Sequence, residues 1–123
     1  MDLFSYVIVE DSGFAPNPFG GFLTLACCKQ RIRTVASVGD YIIGTGSSRT
    51  VGTTKLVYAG EISEVVSMED YGRMAKYKIK QPSDSGPWWK RLGDSIYVKT
   101  DGRWKQRPNL SHGTNCMELD LSG

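Results

Sequence analysis

The sequence predicts an α+β domain built as a small, partly closed antiparallel β-barrel with one or two short helices. The order of the predicted elements is the first reason, because strands and short helices alternate without repeats and without a βαβ rhythm. A hairpin signal near residue 101 is the second. The third is the length of 123 residues with 40% hydrophobic and 23% charged residues, which allows one core and a single domain over residues 1–123.

Strands and one short helix are predicted in the first half of the chain. The segment from Leu3 to Val9 is rich in β-branched and aromatic residues, as a buried strand is. The stretch from Phe22 to Ala36 is ambiguous, but its second half lacks Gly and Pro and favours a short amphipathic helix. A turn at Gly39-Asp40 precedes a strand over Tyr41 to Ile43, and we expect the Asp40 side chain to bond nearby backbone N–H groups.

A long strand, a helix and a hairpin are predicted in the second half. Lys55 to Ser67 has the composition of the long strand, with Gly60 as a bulge or a close backbone approach. Ser67 is expected to cap a short helix that has an acidic first turn. Asp101-Gly102 joins two strands in a hairpin, and the tail from Cys116 to Leu121 is expected to add one more strand.

The loop from Gly13 to Gly21, GFAPNPFGG, combines prolines, glycines and two phenylalanines and has no charged residue. Its two prolines stiffen the backbone and exclude a helix. Phe14 and Phe19 must bury their rings or expose apolar surface, so the loop is either a lid over a core or one wall of a binding site. As a wall, it would stack Phe14 or Phe19 on a base and hydrogen-bond the edge of that base through Asn17.

Two further segments contain candidate ligand-binding residues. A basic group suited to gripping phosphate consists of Lys29, Arg31 and Arg33; its alternative role is surface solubility. The glycine-rich stretch that follows residue 43 lacks the helix of a dinucleotide fingerprint and the Gly-Lys-Ser/Thr of a Walker loop. Its tip is either a plain turn or a polar ligand contact through Thr45, Gly46 and Ser47.

Positive charge and aromatic rings are concentrated between Arg73 and Arg107. This window holds ten lysines and arginines against three acids, a local charge of +7, whereas the whole chain carries +2. It also contains all three tryptophans, which are Trp88, Trp89 and Trp104. Interleaved cations and rings are typical of surfaces that bind phosphates and bases. The alternative is an aromatic core under a lysine-rich solvated surface.

Signals for catalysis, metals and membranes are weak. Asp11 and His112 are the candidate acid or base residues, but the sequence pairs neither with a nucleophile. Three cysteines without Cys-x-x-Cys spacing are expected to be reduced thiols, and with one histidine we expect neither a metal site nor a cofactor. Apolar runs are too short for a membrane span and the N-terminus lacks signal-peptide features, so we expect a cytoplasmic protein without a membrane partner.

Three motifs between Tyr6 and Ser47 resemble the opening of the phage and bacterial family called nucleotide-modification-associated domain two. They are D-x-G-F-A-P-N-P-F-x-G from Asp11, T-L-A-x-C-K-x-x-I-R from Thr24 and G-D-x-x-x-G-T-G-S from Gly39. The match is looser after Ser47. Members of this family continue with a further strand-rich segment, so the resemblance implies a truncated or a naturally short version. The element order is also similar, at the level of fold only, to pseudouridine-synthase-associated reader barrels that bind RNA or modified bases.

The resemblance implies a role near modified nucleotides without naming a reaction, so whether the chain is an enzyme stays open. The leading hypothesis is a nucleotide- or nucleic-acid-binding module. One alternative is an enzyme that modifies a base or nucleotide through Asp11 or His112. The other is a phage protein that sequesters a host nucleotide second messenger, for which a homo-oligomer would be usual.

Overall fold

A computed structural model describes residues 1–8, 13–46, 55–109 and 117–122 of the chain. Its strands are β1 (Leu3–Ile8), β2 (Tyr41–Gly46), β3 (Leu56–Glu61), β4 (Tyr97–Thr100) and β5 (Arg103–Gln106). Its α-helices are α1 (Gln30–Val35), α2 (Met68–Arg73) and α3 (Met117–Leu121), and 3₁₀-helices span Ala75–Lys80 and Trp88–Leu92. The chain divides into two compact units, the first of Met1–Asp11 and Thr34–Val65, the second of Ser12–Arg33 and Val66–Gly123.

The first unit contains a three-stranded mixed sheet in the order β1-β2-β3. β2 and β3 are antiparallel, but β1 and β2 are parallel and pair from Leu3 with Tyr41 to Ile8 with Gly46. The prediction of a purely antiparallel sheet is therefore wrong for this pair. The physical reason is the long connection over residues 9–40, because a connection of that length can return the chain to the same end of the sheet.

The irregularity of this sheet lies where Gly44 pairs with Tyr58 and Thr45 with Leu56, which leaves Val57 of β3 as the extra residue. The register between β2 and β3 shifts between Gly44 and Thr45. A Cβ atom at Gly44 would lie 2.6 Å from the Tyr58 ring and 2.8 Å from Ile8, so glycine is needed for these side chains to pack there. At Gly60 a Cβ atom would meet nothing within 4 Å, and the predicted bulge or close approach at that position is wrong.

Asp40 holds the turn that leads into β2, as the sequence predicts. Its Oδ1 accepts a hydrogen bond from the Asp2 backbone N–H at 2.9 Å, and its Oδ2 accepts one from the Ser37 N–H at 2.9 Å. These two bonds lower the pKa of the Asp40 carboxyl. The carboxylate therefore fastens the N-terminus of β1 to the start of β2.

The second unit is built around an aromatic core. The buried residues that form it are Phe14, Ala26, Cys27, Tyr71, Tyr77, Ile96 and Tyr97. Helix α2 contributes Tyr71 and begins at the predicted cap, where the Ser67 hydroxyl accepts from the Asp70 N–H at 3.2 Å. Cys27 and Cys28 are both thiols outside any disulfide, which agrees with the prediction of reduced thiols for these two residues.

The predicted hairpin is confirmed, but the predicted C-terminal strand is wrong. β4 and β5 pair across Asp101 and Gly102, whose φ angles of 51° and 75° suit a tight hairpin turn. The segment Met117–Leu121 is helical. Its Asp120 accepts hydrogen bonds from the Tyr97 hydroxyl at 2.5 Å and the Cys28 N–H at 3.0 Å. Such long-range bonds override the local pattern of so short a segment.

The described part of the chain is α+β, with short helices, a mixed sheet and a two-stranded hairpin. Its strands form two separate sheets, β1-β2-β3 and β4-β5, and no closed barrel is present among them. The strands predicted near Leu3 and Tyr41 and the short helix predicted before Ala36 are confirmed as β1, β2 and α1. The prediction that the first strand is buried is wrong, because of its described residues only Ile8 is buried and Leu3 and Val7 are exposed. The long strand predicted from Lys55 ends early, at Glu61.

Candidate nucleic-acid interface

The GFAPNPFGG loop is held in place by a buried lysine. The Lys80 ammonium donates hydrogen bonds to the backbone carbonyls of Asn17 at 2.9 Å, Phe19 at 2.5 Å and Phe22 at 2.6 Å. It also reaches the Asn17 side-chain oxygen at 3.0 Å. Lys80 is only 1% exposed, and burial lowers the pKa of its ammonium to about 8. The ammonium therefore stays charged at neutral pH.

Asn17 completes the attachment of the loop. Its amide nitrogen donates to the Leu92 carbonyl at 3.0 Å, and its Oδ1 accepts from the Phe19 N–H at 3.2 Å. Its backbone exchanges two hydrogen bonds with Thr24, at 2.8 and 3.0 Å. Asn17 is 1% exposed and Phe14 lies in the aromatic core. Both side chains thus have structural contacts, and their predicted ligand contacts stay predictions.

Phe19 packs against the tryptophan pair. Its ring centroid lies 5.5 Å from that of Trp88, with the planes at 84°, and 5.8 Å from that of Trp89, with the planes at 31°. Both tryptophans belong to the 3₁₀-helix Trp88–Leu92. The preceding loop is attached to this helix by a hydrogen bond of 2.9 Å from the Ser83 N–H to the Lys90 carbonyl. The Trp88 side chain remains 60% exposed.

Phe22 is a further exposed ring, and its backbone carbonyl accepts from the same Lys80 ammonium as that of Phe19. It meets Tyr77 edge-on at 6.3 Å, and the Lys80 ammonium lies 4.9 Å from its ring centroid. Next to it, Gly20 packs so closely on Ile79 that a Cβ atom there would lie 2.9 Å from the isoleucine side chain. We name the surface of Phe19, Phe22, Trp88 and Trp89 the aromatic ridge.

Cations border the aromatic ridge. The Lys90 ammonium lies 5.5 Å from the Trp89 ring centroid, and the Lys76 ammonium lies 5.5 Å from that of Tyr77. Lys78 and Arg91 are exposed on the same two 3₁₀-helices. The sequence predicted this basic, tryptophan-rich window as a whole, and within the window the acid Asp94 is buried. Asp84, four residues before Trp88, is an exposed acid, whereas the exposed charges on the two 3₁₀-helices themselves are positive.

Asp94 forms a buried polar group that the sequence did not indicate. Its carboxylate accepts hydrogen bonds from the Tyr71 hydroxyl at 2.6 Å and the Thr24 hydroxyl at 2.7 Å. The residue is 0% exposed, and burial raises the pKa of its carboxyl to about 6. Burial also raises the pKa of the neighbouring Cys27 thiol. Because these groups have no contact with solvent, they support the core and do not form an accessible catalytic site.

The burial of Lys80 was also not predicted from the sequence, although the sequence contains one indication of it. Lys76, Lys78 and Lys80 alternate as residues of a solvated surface do. In a 3₁₀-helix, however, residues three apart lie on the same face, and Tyr77 and Lys80 are both buried. Recognising the 3₁₀ period would have been necessary to find the buried lysine.

The other predicted site residues divide between the two compact units. The Arg33 guanidinium donates to the carbonyls of Cys28 at 2.7 Å and Asp120 at 2.9 Å, so it is used within the second unit. Arg31 is exposed on α1 and Lys29 is half-buried just before it. In the first unit, the Thr45 hydroxyl donates to the Tyr6 carbonyl at 3.4 Å, and Gly46 is buried. Asp11, Ser47 and His112 lie outside the described residues.

Comparison with known families identifies the chain. The sequence model of the family described as nucleotide modification associated domain 2 matches residues 1–119. The chain belongs to this family. The nucleotide modification associated domain 2 family is associated with nucleotide modification systems, and its description names neither a reaction nor a ligand. No curated protein and no solved structure matches the chain.

Two other properties of the described residues bear on function. Of the helices in residues 1–8, 13–46, 55–109 and 117–122, none has the length and apolar character to cross a membrane. In the same parts of the chain, no group of three or more His, Cys, Asp or Glu side chains is arranged to hold a metal ion.

Proposed function

We propose that the chain binds nucleotides or nucleic acid and that the aromatic ridge is its binding surface. The observation that carries this proposal is the Trp88 indole, which is 60% exposed although it packs against Phe19. The exposed indole offers a flat aromatic face to a ligand, and covering such a ring contributes about 2 kcal/mol. A nucleobase fits, because stacking on an aromatic side chain contributes roughly 1–3 kcal/mol.

The neighbouring cations favour a ligand that carries phosphate. Lys90 and Arg91 follow the two tryptophans directly on the same 3₁₀-helix, and both are exposed. A base stacked on Trp88 brings its own phosphate within reach of such side chains. The ridge therefore combines a stacking surface with a source of phosphate affinity.

The Lys80 hydrogen bonds support binding without a large ordering penalty. They fix the carbonyls of Asn17, Phe19 and Phe22 in the free protein, so Phe19 already has its position against the tryptophans. A preorganised surface loses less conformational entropy when a ligand binds. In this proposal Phe19 has a stacking role and Arg31 is a further candidate phosphate contact.

The first test removes the exposed indole. We expect Trp88→Ala to weaken binding of a fluorescein-labelled single strand of about 12 nucleotides roughly tenfold, because one base would lose its stacking partner. Fluorescence anisotropy measures the Kd. Trp88→Phe, which keeps an aromatic face, should retain most of the affinity. Tyr41→Ala, which removes an exposed ring from the first unit, is the matched control and should leave the Kd unchanged.

Unchanged binding by Trp88→Ala would show that the aromatic ridge is not the binding surface. Mass spectrometry of the same mixtures gives a second readout. A covalent change in the nucleotide would contradict the hypothesis of a binding module and support an enzyme that modifies nucleotides. Tight binding of a free nucleotide second messenger without turnover would favour sequestration.

Finer expectations from the sequence accompany this proposal. They are a phage origin, a cytoplasmic location and a homo-oligomer. Family membership and the resemblance of the opening motifs support the setting near modified nucleotides. Size-exclusion chromatography with light scattering measures the oligomeric state.

A further inference from the structure

We infer that the aromatic ridge selects unpaired bases, so that its ligand is single-stranded nucleic acid or an unpaired position within a duplex. This inference rests on the proposed function and names the ligand class for the same surface. It depends on which part of a base can reach an exposed indole and on the arrangement of the nearby cations.

The first argument comes from the Trp88 ring. A ring that is 60% exposed offers a flat apolar surface, for which the complementary group is the face of a base. In a duplex the faces of the bases are covered by their stacked neighbours, and the grooves present only base edges. The ridge therefore requires a base that has left the stack.

The second argument comes from the polar groups beside the ring. Base edges in a groove are read by Arg, Asn, Gln or acidic side chains placed to form hydrogen bonds. In the loop at the ridge, Asn17 is 1% exposed and its amide is bonded to the Leu92 carbonyl and the Lys80 ammonium. This amide is therefore not available to a base edge, whereas the exposed rings offer surfaces that recognise base faces.

The third argument concerns the number of phosphates. Exposed cations lie on the 3₁₀-helix of the two tryptophans, which carries Lys90 and Arg91, and on the 3₁₀-helix Ala75–Lys80, which carries Lys76 and Lys78 beside the buried Lys80 that holds the loop. A single strand carries phosphates on both sides of a stacked base, whereas a mononucleotide has phosphate on one side. Three neutralised phosphates would give a slope of log K against log salt of about −2.

The test compares ligands that differ only in base pairing. The probes are a labelled single strand of about 12 nucleotides, the same strand in a perfect duplex, that duplex with one unpaired base, and a mononucleotide. At about 100 mM salt, we expect the single strand to bind at least roughly tenfold more tightly than the perfect duplex and the mononucleotide. The duplex with one unpaired base should bind with an affinity between those of the perfect duplex and the single strand. Trp88→Ala should reduce binding of the single strand to the level of the duplex and leave duplex binding unchanged.

A matched pair of lysine variants tests the phosphate contacts. Lys90 lies over the Trp89 ring at 5.5 Å, and Lys99 on the hairpin lies over the Trp104 ring at 5.8 Å. We expect Lys90→Gln to make the salt slope shallower by about 0.7, because one phosphate contact is lost, and Lys99→Gln to leave the slope unchanged. Equal changes in both variants would assign the salt dependence to overall charge and overturn the proposed contact.

The remaining outcomes separate the inference from the proposed function. Equal affinity for single strand and duplex, with both weakened by Trp88→Ala, would overturn the preference for unpaired bases and keep the ridge as a nucleic-acid surface. Binding of the mononucleotide alone would overturn the inference and keep a nucleotide site. Binding of none of the four probes, by a protein shown to be folded by circular dichroism, would overturn both.

Discussion

The Lys80 ammonium is bonded to three backbone carbonyls and one amide oxygen of the segment 17–22. Four acceptors therefore share the three protons of one buried cation. Hydrogen bonds to a charged group are stronger than neutral ones, and their loss leaves buried acceptors unsatisfied. At the scale of single residues, we attribute the shape of the loop to this side chain.

We expect Lys80→Met to destabilise the fold by about 3 kcal/mol, since methionine has a similar length but cannot donate to the four oxygens. Urea unfolding followed by circular dichroism measures the free energy. Lys78→Met is the matched control, because Lys78 is exposed on the same 3₁₀-helix and its loss should change stability by about 0.5 kcal/mol at most. Equal stability of the two variants would show that the Lys80 contacts do not hold the loop.

Asp94 gives a prediction for pH dependence. Burial raises the pKa of its carboxyl from 3.8 to about 6. Between these pH values the folded protein keeps a proton that the unfolded chain has lost, so this group's contribution to stability falls as the pH rises from about 4 to about 6. The full effect is on the order of 3 kcal/mol.

Asp94→Asn removes this titration while keeping the side-chain size. We therefore expect the stability of the native protein minus that of the variant to decrease between about pH 4 and pH 6 and to level off above about pH 7. Chemical unfolding at several pH values measures this difference. A difference that stays constant across the range would mean that Asp94 titrates alike in the folded and unfolded states.

The GFAPNPFGG loop and the 3₁₀-helix Trp88–Leu92 depend on each other at the scale of elements. The Asn17 amide donates to the Leu92 carbonyl, and Leu92 itself is buried. The same loop places Phe19 against both tryptophans of that helix. A change in Asn17 should therefore alter the ridge through the fold and not through a lost ligand contact.

Asn17→Ala tests this assignment against the ligand role that the sequence predicts for Asn17. We expect a loss of stability of about 2 kcal/mol, because the Lys80 ammonium and the Leu92 carbonyl lose a partner. Binding should weaken only in proportion to the loss of folded protein, as thermal melting and anisotropy measured together would show. Pro18→Ala, at the exposed neighbouring position, is the control. A normal melting temperature with strongly weakened binding would instead make Asn17 a ligand contact.

Elements with strong local signals were predictable from the sequence. The Asp101-Gly102 hairpin and the helix capped by Ser67 are confirmed, because turn and capping chemistry act within a few residues. The helix at Met117–Leu121 was not predictable, since Asp120 is held by Tyr97 and Cys28 from distant parts of the chain. Parallel pairing of β1 with β2 is equally non-local.

The candidate site was predictable in part for the same reason. Composition indicated a region of tryptophans and cations, and loop chemistry indicated Phe19. The buried position of Lys80 and the internal hydrogen bonds of Asn17 could not be predicted, because they depend on which segments meet in the folded unit. A lysine is also rarely buried, so its residue type indicates the surface.

At the scale of the whole molecule, the family match over residues 1–119 extends across both compact units, whereas every residue of the aromatic ridge lies in the second. The window from Arg73 to Arg107 carries +7 and the rest of the chain −5, since the total is +2. Charge sorted in this way favours a polyanionic ligand for the second unit. The central claim is that bases stack on the ridge of that unit.

The measurement that tests this claim most directly is tryptophan fluorescence during titration with a single-stranded oligonucleotide. The chain has three tryptophans, of which Trp88 and Trp89 lie in the ridge and Trp104 lies on β5. We predict that the strand quenches emission of the native protein, that Trp88→Phe loses most of this quenching while still binding, and that Trp104→Phe retains it. Quenching that persists in Trp88→Phe and disappears in Trp104→Phe would place the bases on the hairpin and contradict the account.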